Sequence, residues 1–387
     1  MDINRIPGSK IVEVARLAFN TPDVAYLCFG ESDQPSPGAA RDAAIAALMA
    51  GDTRYPDVRG LPSLREALAA YMTGLYAKPV SESRVQVTAS GMAAIGICLA
   101  ATVRAGDRVI VHGPSWPNIA NAVLLRGATV DVLELDRPGQ GAGDGSFRLD
   151  LNRLDTMMAG ARAFILNSPN NPTGWTATAA EMRAILDLAR KHGIWLISDE
   201  VYTRLVYDGS PAAPSLLDIA EPGDSVLVCN SFSKTWIMTG WRLGWIVVPE
   251  GLRDAFVEIV EVTHSGVAPF TQRAGLAAIA DADAVARFRA HCAQGRRLVG
   301  EALSGLNGVS YVAPDGAFYA FVGIAGLTDS LALSKTLVVK HKVAVAPGVA
   351  FGVSGEGSLR ICFAQSAATM QRAMNRLCEG LRAERGA

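Results

Sequence analysis

Short apolar runs alternate with stretches of helical periodicity through the middle of the chain. Apolar runs bounded by Gly, Asp or Ser are typical of buried strands. The pattern predicts strands at residues 84–88, 108–112, 161–167, 194–198, 225–229 and 243–248. The clearest helical stretches are residues 92–104 and 179–192. This alternation predicts an α/β fold, a mostly parallel sheet covered by helices on both faces.

The pattern changes toward both ends of the chain. Pro22, Pro35 and Pro37 interrupt the first forty residues, which we expect to be irregular. A helical pattern at 284–306 precedes a second group of strands and helices at 308–387, typical of a smaller α/β unit. A chain of 387 residues also exceeds the size of one hydrophobic core. We therefore predict an N-terminal arm that joins the small domain, a large domain and a small C-terminal domain, at 1–40, 41–282 and 283–387.

Composition adds limits but no chemistry. Half of the residues are apolar, and the net charge of −1 is spread without a basic cluster, so neither nucleic acid nor an anionic membrane is indicated as a partner. The longest smooth apolar run, residues 93–103, is too short to span a bilayer. The six cysteines form no Cys-x-x-Cys pair, and the five histidines lack metal-ligand spacing. We expect a cytoplasmic protein with reduced thiols and no metal.

Polar groups follow the first three predicted strands, where ligand crevices lie in parallel sheets. Ser90 and Gly91 open a helix, which suits an anion but also an ordinary N-cap. Trp116 stands in the next loop, where packing is the commoner role of such a ring. The string Asn-Ser-Pro-Asn-Asn-Pro-Thr-Gly at 167–174 suits a turn, although it is unusually long for one.

The next two strand ends carry ionisable groups. Asp199 could hold a cation or a protonated ring nitrogen, or could be an N-cap. Lys234, eight residues before Arg242, could form a Schiff base if its pKa is lowered, or could be a solvated surface lysine. Together the five strand ends suit one ligand with an anionic group, an aromatic face, a hydrogen-bonded oxygen, a basic ring nitrogen and an aldehyde. Pyridoxal 5′-phosphate (PLP) has all five features.

The sequence resembles the class I/II aminotransferases, the aspartate-aminotransferase-like branch of fold-type I PLP enzymes, over nearly its whole length. The resemblance rests on ordered motifs. These are Asn-Asn-Pro-Thr-Gly at 170–174, Ser-Asp-Glu-Val-Tyr at 198–202, Ser-Phe-Ser-Lys-Thr at 231–235, Met-Thr-Gly-Trp-Arg-Leu-Gly at 238–244 and Pro-Asp-Gly-Ala-Phe-Tyr at 314–319. It implies a seven-stranded, mostly parallel sheet in the large domain. It also implies transfer of an amino group between an L-amino acid and a 2-oxo acid by a ping-pong mechanism.

The resemblance assigns a role to each cofactor-facing residue. Lys234 would hold PLP as an internal aldimine and then move the proton of the substrate Cα. Asp199 would pair with the ring nitrogen, Asn171 and Tyr202 would hydrogen-bond the phenolic oxygen, and Trp116 would lie over the ring. The phosphate would be held by Ser90, Gly91, the backbone of Met92, Ser231, Ser233 and Arg242.

The resemblance also implies how substrate and subunits meet. Arg360 would bind the substrate α-carboxylate as a bidentate fork, and the backbone of Gly30 would approach the same group. Trp116 and Asn171 would also border the substrate. Tyr55 would reach the phosphate of a neighbouring subunit, which implies a homodimer with shared active sites. Met92 departs from the family pattern, in which a polar side chain is common.

Other functions fit parts of the pattern. The nearest is a PLP-dependent C–S lyase or synthase-type enzyme on the same scaffold, because substrate-side residues decide the reaction. A ligand-sensing module of a DNA-binding regulator would need a basic patch that is absent here. A catalytically dead homologue is disfavoured, since every cofactor-facing position holds a competent residue. We see no motif-placed second arginine for a dicarboxylate (Arg54, Arg59 and Arg126 have no assigned place), so we expect neutral or aromatic substrates to be preferred.

Overall fold

A computed structural model describes residues 6–137 and 146–385. Its first elements are α1 (Lys10–Phe19), β1 (Ala25–Tyr26), α2 (Gly38–Met49) and α3 (Pro62–Leu75). The expectation of an irregular first forty residues is wrong for α1. The hydroxyl of Ser9 caps this helix by accepting a hydrogen bond from the Val12 N–H, and apolar side chains at helical spacing are buried below it. The prolines lie after the helix and do not interrupt it.

A seven-stranded sheet forms the centre of the molecule and confirms the predicted fold class. The chain order is β2 (Val85–Thr88), α4 (Gly91–Thr102), β3 (Arg108–Gly113), α5 (Pro117–Leu125), β4 (Thr129–Glu134), α6 (Leu151–Met158), β5 (Ala163–Asn167), α7 (Ala179–His192), β6 (Trp195–Asp199), β7 (Val226–Ser231), α8 (Phe232–Thr235) and β8 (Gly244–Val247). The spatial order is β2-β8-β7-β6-β5-β3-β4. β8 is antiparallel to β2 and β7, and the other pairs are parallel. The ends of β5, β6 and β7 therefore meet at one edge of the sheet.

Local sequence signals explain why α7 was predicted from the sequence and β4 was not. The stretch 179–192 coincides with α7, because Thr178 and Glu181 form a capping box and Gly193 ends the helix with a left-handed backbone. β4 was not predicted. It is an edge strand with two acidic residues in which only Leu133 is buried, so it lacks the continuous apolar run of the buried strands.

Two further helices, α9 (Arg253–His264) and α10 (Pro269–Ala280), pack on α4 and on α2 and α3, respectively, beside the large sheet. The remaining elements form a second unit. They are α11 (Ala282–Leu303), β9 (Val309–Ser310), β10 (Tyr319–Ile324), α12 (Ser330–His341), β11 (Val343–Ala344), β12 (Ala346–Pro347), β13 (Ser358–Cys362) and α13 (Ala367–Arg385). The sheet β12-β13-β10-β9 is antiparallel. β1 pairs with β11, and α1 packs on α12. These contacts join the N-terminal segment to the C-terminal unit, while the three-part domain division stays a prediction.

Over the described ranges, no helix combines the length and the apolar character needed to cross a bilayer.

Candidate active site

A cavity of about 400 Å³ lies at the edge of the large sheet where β5, β6 and β7 end. It is bordered by the start of α4, the loop after β3, α1 and β13. Twelve of the fourteen site residues predicted from the sequence line it. These are Gly30, Gly91, Met92, Trp116, Asn171, Asp199, Tyr202, Ser231, Ser233, Lys234, Arg242 and Arg360.

Asp199 is the last residue of β6, and its carboxylate is buried in the cavity wall. One oxygen, Oδ2, accepts a hydrogen bond of 3.1 Å from the side chain of Asn167, whereas the buried Oδ1 has no partner. Burial raises the pKa of Asp199 to about 7, opposed by the nearby backbone N–H of Val201 and by the charge of Lys234. A buried carboxylate oxygen without a partner requires a donor or a cation from a ligand.

Lys234 lies in α8, directly after β7, and its amine enters the same cavity. The Nζ atom donates a hydrogen bond of 2.7 Å to the carbonyl of Gly30. Burial, together with the charge of Arg360, lowers the pKa of Lys234 to about 8, while Cys362 and Asp199 act in the opposite direction. A lysine amine with this pKa is a competent nucleophile near neutral pH. The alternative of a solvated surface lysine is wrong.

Two tyrosines border the amine. The hydroxyls of Tyr202 and Tyr319 lie 2.8 Å apart, and Nζ of Lys234 lies 5.8 Å from the centre of the Tyr202 ring. Burial raises the pKa of Tyr202 above its ordinary value, so its hydroxyl stays protonated and can donate. A Cβ atom on Gly30 would stand 2.2 Å from the Tyr319 hydroxyl. Only glycine therefore lets the backbone approach the cavity here.

Arg360 is buried in β13 and reaches the cavity from the C-terminal unit. It donates from Nη1 to Oδ1 of Asn171 at 2.9 Å and from Nη2 to the carbonyl of Cys28 at 2.5 Å. Its guanidinium stacks on the rings of Tyr319 and Phe351, with 4.4 and 4.9 Å to the ring centres. The fork is thus held by fixed partners, which is the geometry that carboxylate recognition needs.

An anion cradle lies at the start of α4. Ser90 caps this helix by accepting a hydrogen bond from the Ala93 N–H, so the N-cap role is present, and the first N–H groups of the helix have no acceptor within it. A Cβ on Gly91 would meet Ser231 at 3.2 Å, which shows how closely α4 approaches the end of β7. Ser231 and Ser233 lie side by side with 2.9 Å between their hydroxyl oxygens. The exposed Arg242 adds a positive charge.

The cavity lining includes apolar residues that the sequence analysis did not single out. Among them are Ile11, Val12 and Phe29, and the predicted Trp116 is a half-buried member of the same lining. The signal for α1 was its Ser9 cap and its helical apolar spacing. Asn167 and Tyr319 also line the cavity without having been singled out as site residues, although both stand in motifs that the sequence made conspicuous.

Two of the predicted site residues lie apart from this cavity wall. Ser90 is buried directly behind it as the helix cap, and Tyr55 is 91% exposed. Of the unplaced arginines, Arg59 pairs with Asp57, and neither Arg54 nor Arg126 is among the described residues that line the cavity. The cations that do line it, within the described ranges, are Lys234, Arg242 and Arg360.

The doubly wound sheet, the antiparallel second unit and the lysine-bearing cavity between them define an α/β enzyme of fold type I. The sequence profile of the family "Aminotransferase class I and II" matches residues 22–377. The chain therefore belongs to the class I and II aminotransferase family, whose members depend on PLP, and it is a transaminase. The predicted family, fold and enzyme class are confirmed.

Individual relatives are similar over nearly the full length. Aspartate aminotransferase from Pyrococcus horikoshii is 32% identical over 98% of this chain and 96% of its own. Aromatic-amino-acid aminotransferase 2 from Thermococcus litoralis is 32% identical over 97% and 96%. The crystal structure of aspartate aminotransferase from Thermotoga maritima superposes with a TM-score of 0.90, at 32% identity, over 98% of this chain and 99% of that one.

Proposed function

We propose that this cavity binds PLP on Lys234 and transfers an amino group between an L-amino acid and a 2-oxo acid in two half-reactions. One observation carries the proposal. A lysine amine with a lowered pKa and a buried carboxylate with an unpartnered oxygen, Oδ1 of Asp199, line the same cavity. A group that brings both an aldehyde and a protonated ring nitrogen satisfies both residues at once.

The residues present fit this cofactor. The anion cradle at the start of α4 suits its phosphate, with Ser90, Gly91, Met92, Ser231, Ser233 and Arg242 as the holding groups. Asp199 suits the ring nitrogen, Asn171 and Tyr202 suit the phenolic oxygen, and Trp116 suits the ring face. PLP supplies an electron sink for the pair of electrons left when the substrate Cα loses its proton.

The chain's own groups perform the remaining tasks. Arg360 and the backbone of Gly30 bind and orient the substrate carboxylate, which fixes the Cα–H bond relative to Lys234. The free amine of Lys234 then accepts the Cα proton as a general base and returns it as a general acid. Its pKa of about 8 suits both directions of that transfer.

The apolar residues that line the cavity indicate which substrate side chains it would accept. We propose a preference for neutral or aromatic side chains, because Ile11, Val12 and Phe29 would contact a substrate side chain. The cations that line the described cavity already have roles toward the cofactor or the α-carboxylate. A second carboxylate would be desolvated without a partner, at a cost of roughly several kcal/mol.

A homodimer completes the proposal. Ile45, Leu48 and Met49 are exposed along one face of α2, and Val262 on α9 is also exposed. Exposed apolar clusters of this kind mark protein interfaces. The largely exposed Tyr55 is then available to the cofactor phosphate of a second copy. The cytoplasmic location stays a prediction from the sequence.

The half-reaction with single amino acids tests the proposed function. The PLP-loaded enzyme is mixed with one amino acid at a time, and the change from the aldehyde to the amine form of the cofactor is followed by absorbance. A transaminase releases one 2-oxo acid per active site and stops until an acceptor is added. Continuous release of 2-oxo acid and ammonia from a cysteine-like substrate, without an acceptor, would instead identify the C–S lyase alternative.

A further inference from the structure

Asn167 lines the cavity and contacts Asp199 directly. It is the last residue of β5 and lies directly opposite Asp199, the last residue of β6, in the parallel ladder. Its side chain is buried, with 2% of its surface exposed. The Nδ2 group donates to Oδ2 of Asp199 at 3.1 Å and to the Asp199 carbonyl at 3.2 Å. This is the side-chain hydrogen bond that holds the Asp199 carboxylate.

The orientation of this amide is fixed by its other end. Oδ1 of Asn167 accepts a hydrogen bond of 2.9 Å from the Asn171 N–H and one of 3.3 Å from the Asn170 side chain. A flipped amide would place an oxygen against the Asp199 carboxylate and an NH₂ group against two donors. The amide therefore points its donor at Asp199 in only one arrangement.

A buried histidine, His112, binds the backbone of Asn167. The Asn167 N–H donates to Nε2 of His112 at 3.0 Å, and burial lowers the pKa of His112 to about 4. The imidazole is therefore neutral at ordinary pH and remains an acceptor. Asn167 thus has partners on its backbone and on both ends of its amide.

We infer that Asn167 is a positioning residue that directs the free oxygen of Asp199 at the cofactor ring nitrogen. The inference rests on the proposed function. With Oδ2 occupied by the Asn167 amide, Oδ1 remains as the oxygen available to a ligand. A carboxylate held on one oxygen has less rotational freedom to lose when its other oxygen binds the ring nitrogen. The amide also stabilises the ionised carboxylate, which burial alone disfavours.

The test compares two ligands of the apo-enzyme. One is PLP, and the other is the analogue in which carbon replaces the ring nitrogen. The dissociation constant of the analogue divided by that of PLP measures the contact between Asp199 and the ring nitrogen, because both ligands keep the aldehyde and the phosphate. In Asn167→Leu, which removes both ends of the amide at similar volume, the ratio should fall about tenfold, equivalent to ~1.4 kcal/mol.

A matched variant separates positioning from folding. Thr173 is buried in the same turn, and its hydroxyl bonds the Asn170 side chain and the Trp175 N–H. Thr173→Val, which keeps the shape and removes the hydroxyl, should therefore lower the melting temperature while the ratio stays within about twofold of the wild type. If Asn167→Leu fails to fold, Asn167→Ala provides the same comparison with less bulk.

The outcomes are distinct. A folded Asn167 variant with the wild-type ratio overturns the inference, as does an equal fall of the ratio in Thr173→Val. A wild-type enzyme that binds PLP no better than its carbon analogue contradicts the proposed role of Asp199 itself. A wild-type enzyme that binds neither ligand contradicts the proposed function.

Discussion

Burial of two opposite charges in one cavity sets the chemistry at the scale of single residues. Burial lowers the pKa of Lys234 to about 8 and raises the pKa of Asp199 to about 7. Each group is therefore closer to its neutral form than it would be in water. A cofactor that consumes the amine and offers a cation to the carboxylate removes both penalties, so cofactor binding is coupled to the electrostatics of the pocket.

The pKa of Lys234 predicts the pH dependence of cofactor uptake. Only the neutral amine attacks an aldehyde, so the rate constant for covalent reconstitution of the apo-enzyme should rise with pH and level off above about 8. The unfolded chain titrates this lysine near 10.4. The free energy of unfolding of the apo-enzyme should therefore gain a contribution from Lys234 as pH rises from about 8 to 10.4, where the unfolded state binds more protons.

Stopped-flow absorbance across pH 6 to 11 measures this rate, with a lysine peptide as the reference amine. A midpoint for the protein equal to that of the peptide would contradict the lowered pKa of Lys234.

At the scale of elements, the sequence predicted the buried strands best. The runs that became β3, β5, β6 and β7 are apolar on both faces, so their pattern is independent of tertiary context. Most of the site residues predicted from the turn motifs after these strands line the cavity. α1 was missed because nearby prolines outweighed ten residues of helical spacing, and its place over the cavity depends on packing against α12.

The contacts of Asn167 and Tyr319 show another limit. Which oxygen of Asp199 an amide occupies, and which ring lies under Arg360, depend on strand register and on the approach of β10 to the cavity. Neither is encoded in a local pattern. The sequence could therefore name the neighbourhood of the site but not its hydrogen-bond connections.

α1 should control the choice of substrate side chain. Val12 lines the cavity and is 42% exposed, so a longer side chain can be accommodated at the cavity mouth. Val12→Arg should supply a partner for a distal carboxylate and shift the ratio of kcat/KM for aspartate over leucine upward by about tenfold, or ~1.4 kcal/mol. Val339→Arg, at an exposed valine of α12 outside the cavity lining, is the matched control. Equal ratios in both variants would show that α1 does not contact the substrate.

At the scale of the whole molecule, the apolar face of α2 is the feature that a single chain leaves unexplained. Met49 is 85% exposed and Ile45 59%. The double substitution Ile45→Glu with Met49→Glu would bury two unpaired charges in the proposed dimer interface and should shift the protein to monomers. Light scattering after gel filtration, at several protein concentrations, gives the mass. Val339→Glu should leave the mass unchanged, and a wild-type protein that is already monomeric would contradict the proposed dimer.

Lys234 is the proposed attachment point of the cofactor, and borohydride reduction of the PLP-loaded enzyme tests this assignment most directly. Reduction makes the lysine–cofactor bond permanent, and mass spectrometry of the digested protein then locates the added mass. We predict stoichiometric labelling on the peptide that contains Lys234, and none in Lys234→Ala. Labelling of a different lysine, or an equally labelled Lys234→Ala variant, would contradict the account.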